Sequence, residues 1–213
     1  MKGVVGGLCP ETSPPGRRCI PNERNWRKDG TWVRIHDSLR QWVRVELGRQ
    51  PSPTFAIIDS QSVKSAAMVS QAVEFDGGKL IKGRKRFLTV DTLGLVLRVL
   101  VTAASIGERE GGKRSLKRVK QMGKAVSRLH TIWVDGGFGG TSFMLWVMDV
   151  CRWIVQVVLR PEQTKGLVLL KKRWVVERTF GWMMGTRRLV RDARATSRNI
   201  GDIYLPSHDP YHG

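Results

Sequence analysis

Acidic side chains are scarce in this chain: 18 Asp and Glu stand against 37 Lys and Arg over 213 residues. The formal net charge of +19 at neutral pH disfavours a compact state by self-repulsion unless a polyanion is the partner. Nucleic acid is the first candidate, an anionic membrane surface the second. A membrane-surface role needs an amphipathic helix with a long exposed apolar face, which the sequence does not offer. Long apolar runs are missing too, since Arg or Lys interrupts each of them before the about 18 residues a membrane-spanning helix requires. The opening MKGVVGGLCP has an apolar stretch too short and too rich in glycine for an export signal. Cysteine is limited to Cys9, Cys19 and Cys151, and neither CxxC nor HxxxH spacing occurs. That argues against a disulfide frame and a zinc site and fits a reducing cytoplasm.

What remains is a chain with 41% hydrophobic residues, enough for one main core. Residues 1–25 carry Gly, Pro and Cys without periodicity and read as irregular or disordered. From Trp26 onward, Trp32, Ile35, Leu39 and Trp42 recur at helical spacing, which predicts a helix with that face turned to the core and ended by Gly48. PSPT at 51–54 reads as a linker. Strand one is Phe55–Asp59; a basic loop, GGKLIKGRK, leads to strand two, RFLTVD, which turns at DTLG into strand three, LVLRVLVTAA. SLKRVKQMGKAV predicts an amphipathic helix with Leu116, Val119, Gly123 and Val126 on one face. Strand four, TIWVD, ends at Asp135. A helix of Phe143, Trp146, Val147 and Val150, a fifth strand, WIVQVVL, and a helix with Val175, Val176, Thr179, Phe180 and Met183 turned inward complete the pattern. The order implies an α/β fold, a mixed five-stranded sheet flanked by helices. A right-handed crossover lays strand four beside strand one and makes Asp59 and Asp135 neighbours.

An Asp closing an apolar strand costs free energy unless it is paired or binds a metal. Two carboxylates on adjacent strand ends, joined by a third from a helix, suit phosphoryl transfer. Hard oxygen ligands hold divalent ions, and a pair of ions about 3.5–4 Å apart stabilises both the attacking and the leaving oxygen. Glu177 is the natural third member, four residues after Arg173 and beside Arg178, cations suited to a phosphodiester.

The stretches AIIDSQSVK, FDGGKLIKGRKRFLTVDTLGLVL, IWVDGGFGG and KKRWVVERTFGWM, followed by RRLVRD, occur in the order in which the DDE transposases of bacterial insertion sequences carry them. From about Trp26 to Asp192 the chain resembles that family, in particular its insertion sequence five group. The resemblance implies a ribonuclease H-like catalytic domain over residues 54–190, with Asp59, Asp135 and Glu177 as the catalytic, metal-holding trio. It implies Mg²⁺ as cofactor, two ions for which Mn²⁺ can substitute. DNA would be the partner, both terminal inverted repeats and target, bound by a homodimer in the nucleoid of a bacterial cytoplasm. Residues 26–53 resemble only the tail of the family's helical N-terminal domain, residues 1–25 do not resemble it, and residues 191–213 lose helical periodicity. The resemblance therefore also implies truncation at both ends. Two readings stay open: a transposase that cuts and joins DNA, and a DNA-binding remnant without catalysis.

Lys79, Lys82, Arg84, Lys85 and Arg86 read as a basic loop beside the site, either simply solvated or touching the DNA backbone without regard to sequence. Arg173 and Arg178 read as substrate-steadying groups. Trp32, Trp42, Trp146 and Trp182 fall at core-compatible positions, and the DTLG turn accounts for Asp91. GEREGGKR at 107–114 imitates part of a phosphate-binding loop, but Arg114 stands where a hydroxyl must ligate Mg²⁺, and Glu108 and Glu110 would face the nucleotide.

Overall fold

The computed structural model describes residues 25–65, 73–159 and 173–190. Apart from Asn25, the segments read as irregular, 1–25 and 191–213, lie outside them. Six strands are described: β1 Phe55–Lys64, β2 Glu74–Asp76, β3 Ile81–Asp91, β4 Val96–Ala103, β5 Thr131–Val134 and β6 Ile154–Val157. They form one sheet in the order β2-β3-β1-β5-β6, with β4 also paired to β3. β2 and β4 share an edge of β3, β2 along residues 81–83 and β4 along residues 84–90. β1 runs antiparallel to β3 and parallel to β5, and β5 runs parallel to β6. This is the mixed α/β sheet expected, with β2 as an added short strand.

Helices cover both faces: α1 Thr31–Glu46, α2 Glu108–Lys120, α3 Thr141–Trp146, α4 Trp174–Met184 and α5 Arg187–Val190. Along β1, Ala56 and Ile58 enter one core with Phe87, Leu116, Ile132, Phe138 and Phe143, on the side of α2 and α3. Ile57 enters the other with Leu88, Val90, Val99, Val176 and Phe180, on the side of α4. A strand buried on both faces needs an unbroken apolar run, and Phe55–Ile58 supplies it. Gly111 and Gly112 let α2 approach closely, because a Cβ on Gly111 would lie 1.9 Å from Phe87 Cζ and one on Gly112 would lie 2.8 Å from Phe138 Cδ1. The imitation phosphate loop is thus the first turns of a packed helix.

Four expectations change. β1 does not end at Asp59 but continues to Lys64, because β3 pairs with it over its full polar second half. The basic loop is confined to a turn, and residues 82–86 belong to β3. Arg84, Lys85 and Arg86 are 1%, 2% and 1% exposed. Two of them meet partners inside: Lys85 Nζ lies 3.0 Å from Asp76 Oδ2 and 3.3 Å from Glu108 Oε1, and Arg86 Nη1 donates to the Leu189 carbonyl at 2.7 Å.

The third change concerns α1, which is inverted relative to its apolar stripe. Trp32, Leu39 and Trp42 are exposed while Arg40 and Arg44 are buried, since the surface beneath presents Asp91 to Arg44 and Arg98 to Asp37. Gly48, at φ 67°, follows the end of the helix as expected. In the fourth, a π-helical turn, Val147–Cys151, follows α3 and shifts the inward face, so that Cys151 is buried and Val150 is exposed. Among the described residues no helix is long and apolar enough to cross a membrane.

Candidate active site

The parallel ladder between β1 and β5 matches Phe55 with Thr131 and Ile57 with Trp133. Two residues further on, the same register sets Asp59 level with Asp135. Both carboxylates lie on the sheet face that carries Ile57 and Trp133, the face packed by α4. Val175, Val176, Thr179, Phe180 and Met183 turn α4 toward that face and leave Glu177 at its margin. Two bonds to the β3–β4 turn fix the helix: Arg178 Nη2 donates to the Leu93 carbonyl at 2.9 Å, and Thr179 Oγ1 to the Gly94 carbonyl at 3.1 Å. Gly94 takes φ 87° there, and a Cβ on it would meet Arg178 Nη2 at 3.0 Å.

The three carboxylates converge on one atom. Arg173 Nη2 lies 3.2 Å from Asp59 Oδ2, 3.7 Å from Asp135 Oδ2 and 3.6 Å from Glu177 Oε1. Each aspartate has its other oxygen tied to backbone: Asp59 Oδ1 accepts the Ser60 N–H at 2.7 Å, and Asp135 Oδ1 accepts the Gly137 N–H at 3.0 Å as the cap of a short 3₁₀ turn. The Oδ2 atoms are thereby aimed at a common centre. Side-chain exposure rises from 11% at Asp59 through 26% at Asp135 to 52% at Glu177, so the site has a closed floor and an open mouth. Burial pushes the Asp59 carboxyl above its ordinary pKa; Arg173 opposes that shift and the Asp135 charge adds to it.

The donor set fits a hard divalent cation, because three carboxylate oxygens already surround a positive charge. The guanidinium donates a hydrogen bond to Asp59 at 3.2 Å and faces Asp135 and Glu177 at ion-pair distance. Among the described residues no group of three or more His, Cys, Asp or Glu stands close enough to hold an ion directly.

Lys79, Lys82, Arg84, Lys85 and Arg86 do not form the single exposed patch expected. Lys82 is exposed, whereas Lys79 Nζ donates to the Ser60 carbonyl and hydroxyl at 2.9 and 3.0 Å. Arg84, Lys85 and Arg86 point their charges into the protein, which corrects the reading of them as a DNA-facing loop. Arg178, besides its bond to Leu93, lies between the rings of Trp174 and Trp182, 4.4 and 4.7 Å from their centroids. It positions α4, while Arg173 is the cation of the site. Trp182 is 63% exposed and Trp42 60%, so neither is the core residue its position suggested. Sequence reasoning also missed Glu108, which meets Lys85 and Lys79 behind Asp59; its place at the start of α2 carried no signal of that contact.

No curated protein matches the sequence. Among solved structures, the piggyBac transposase synaptic complex with hairpin DNA is similar at 13% identity and a TM-score of 0.35, over 55% of this chain and 25% of that one. The Mos1 transposase paired-end complex with the left transposon end is similar at 11% identity and a TM-score of 0.33, over 73% of this chain and 46% of that one. The chain therefore spans less than half the length of either neighbour. The model of the transposase DDE domain matches residues 50–205, well over half of the sequence. Residues 59, 135 and 177 all lie within that span, and the chain belongs to the transposase DDE-domain family.

Proposed function

We propose that this chain is a DNA transposase of the insertion sequence five group that hydrolyses a phosphodiester at an element's end and joins the freed 3′-hydroxyl to target DNA. The observation that carries the reading is the meeting of Asp59, Asp135 and Glu177 around a single cationic atom. An acidic trio inside a protein of net charge +19 is accounted for when metal ions stand between carboxylates and phosphates. Two Mg²⁺ ions, or Mn²⁺ in their place, would supply Lewis-acid stabilisation of the attacking and leaving oxygens. Asp59 and Asp135, each anchored through one oxygen, would hold them from the sheet, and Glu177 from the open side.

Arg173 would steady the scissile phosphate from beside the trio, and Lys82 would contact the backbone further along the duplex. Lys79, half-exposed beside Ser60, is placed to follow it. The partners under this reading are the element's terminal repeats and target DNA, engaged by a homodimer in a bacterial nucleoid.

The test is cleavage of labelled duplex DNA by the purified chain with Mg²⁺ or Mn²⁺, beside Glu177→Gln. Nicking that disappears in the variant supports the transposase. Binding of DNA with no metal-dependent nicking by either protein makes the chain a non-catalytic DNA-binding remnant.

A further inference from the structure

Arg173 occupies the place where the trio's oxygens converge. A divalent ion held by the trio needs the same Oδ2 and Oε1 atoms. Mg²⁺ draws oxygens to about 2.1 Å, whereas the guanidinium nitrogen keeps them at 3.2, 3.7 and 3.6 Å. Both cations cannot use these oxygens at once, and their charges repel. One delocalised positive charge also neutralises three carboxylates incompletely, so an ion of higher charge is favoured once it arrives. The Arg173 side chain is 19% exposed, and its neighbour on the open side is Glu177, one helical turn along. The way out for the guanidinium therefore runs toward solvent and not through the core.

We propose that Arg173 is a built-in counter-ion of the metal site: it holds the carboxylates together without metal and must be displaced when a divalent ion binds. The proposal rests on the reading of Asp59, Asp135 and Glu177 as metal ligands. In the metal-free chain the guanidinium offsets the repulsion among three carboxylates, one of them buried. In the metal-bound chain it is released as a planar fork of donors suited to a phosphate. Arg173 thus lowers the apparent metal affinity and raises the stability of the metal-free protein.

The experiment is a calorimetric titration with Mn²⁺ of the wild type, Arg173→Gln and Asp59→Asn, with thermal melting of each in chelator. Arg173→Gln should bind Mn²⁺ roughly tenfold more tightly or better, about 1.4 kcal/mol by the standard conversion, and melt at a lower temperature in chelator than the wild type. Mn²⁺ affinity equal to or weaker than the wild type overturns the displacement. Should Arg173→Gln not fold without metal, Arg173→Lys takes its place in the titration. A single ammonium cannot span three carboxylates, so tighter binding supports the proposal and wild-type affinity overturns it. Asp59→Asn separates the two levels of inference. Loss of Mn²⁺ binding there, with Arg173→Gln unchanged, removes only the displacement; undiminished binding in Asp59→Asn removes the metal-site reading itself.

Discussion

Arg44 and Asp91 form an ion pair sealed beneath α1, the Arg44 side chain 6% exposed and Asp91 not exposed at all. The same carboxylate accepts the Leu93 and Leu95 N–H groups at 2.9 and 3.0 Å, so it shapes the turn on which Arg178 and Thr179 fasten α4. Removing one member of a buried pair leaves the other uncompensated, at roughly 3–5 kcal/mol. Arg44→Met should therefore lower the unfolding free energy by about 3 kcal/mol, read from urea denaturation. An unchanged urea midpoint would show that Asp91 is satisfied by the turn alone.

Gly111 is pressed on Phe87, where an added Cβ would lie 1.9 Å from Cζ. Gly111→Ala should destabilise the fold by about 1–3 kcal/mol, the range for overpacking. Adding Phe87→Leu should recover part of the loss, since the obstacle is one ring. A double variant no better than the sum of the singles would rule out that contact as the cause.

Asp76 accepts from Ser62 Oγ at 2.5 Å and from the Gly78 and Lys79 N–H groups at 3.1 Å each, and pairs with Lys85. Burial opposes these contacts, but together they draw its pKa from 3.8 down to about 2. A depressed carboxylate contributes stability that is complete above its unfolded pKa and lost as pH falls through the folded value. Acid denaturation should accordingly show a loss between about pH 4 and pH 2 that is absent in Asp76→Asn. A variant with the wild-type acid profile would assign the loss to other carboxylates.

Glu177 lies at the open mouth, its side chain 52% exposed. Exposed substitutions usually change stability by no more than about 0.5 kcal/mol. Glu177→Gln should melt close to the wild type and yet lose more than about 100-fold of metal-dependent nicking, because even the loss of an outer-shell partner of a metal ligand costs up to about that much. Equal loss of folding and nicking would point to a structural role.

Lys82 is exposed on β3, beside three basic residues turned inward. Each phosphate neutralised contributes about 0.9 to the slope of log affinity against log salt. Lys82→Ala should reduce the slope by about that amount for any duplex sequence, with thermal stability unchanged. An unaltered slope would place the DNA on another face.

The strand order was legible because its signals are local: apolar runs, one turn at DTLG, and an amphipathic basic helix long enough for a crossover. Asp59, Asp135 and Glu177 were singled out by the motifs surrounding them, and the structure brings them together at Arg173. Other features depend on partners distant in sequence. Lys85 and Arg86 read as part of a loop because their burial relies on groups of β2, α2 and α5. Both the apolar and the arginine residues of α1 repeat at helical spacing, so periodicity defined two faces without saying which one the sheet would take. The π turn before Cys151 inserts a rotation that no hydrophobic pattern announces. From the sequence Arg173 read only as a substrate-steadying group, because its meeting with all three carboxylates depends on tertiary packing.

The trio is divided between two mechanical bodies. Asp59 lies on β1 and Asp135 directly follows β5, two strands joined by a backbone ladder. Glu177 rides on α4, which rests on the sheet through side chains and is pinned at the β3–β4 turn. Sliding or tilting that helix changes the gap to Glu177 while leaving the two aspartates where they are. The turn at Gly94, which accepts from Thr179, therefore helps set the distance from Glu177 to the two aspartates.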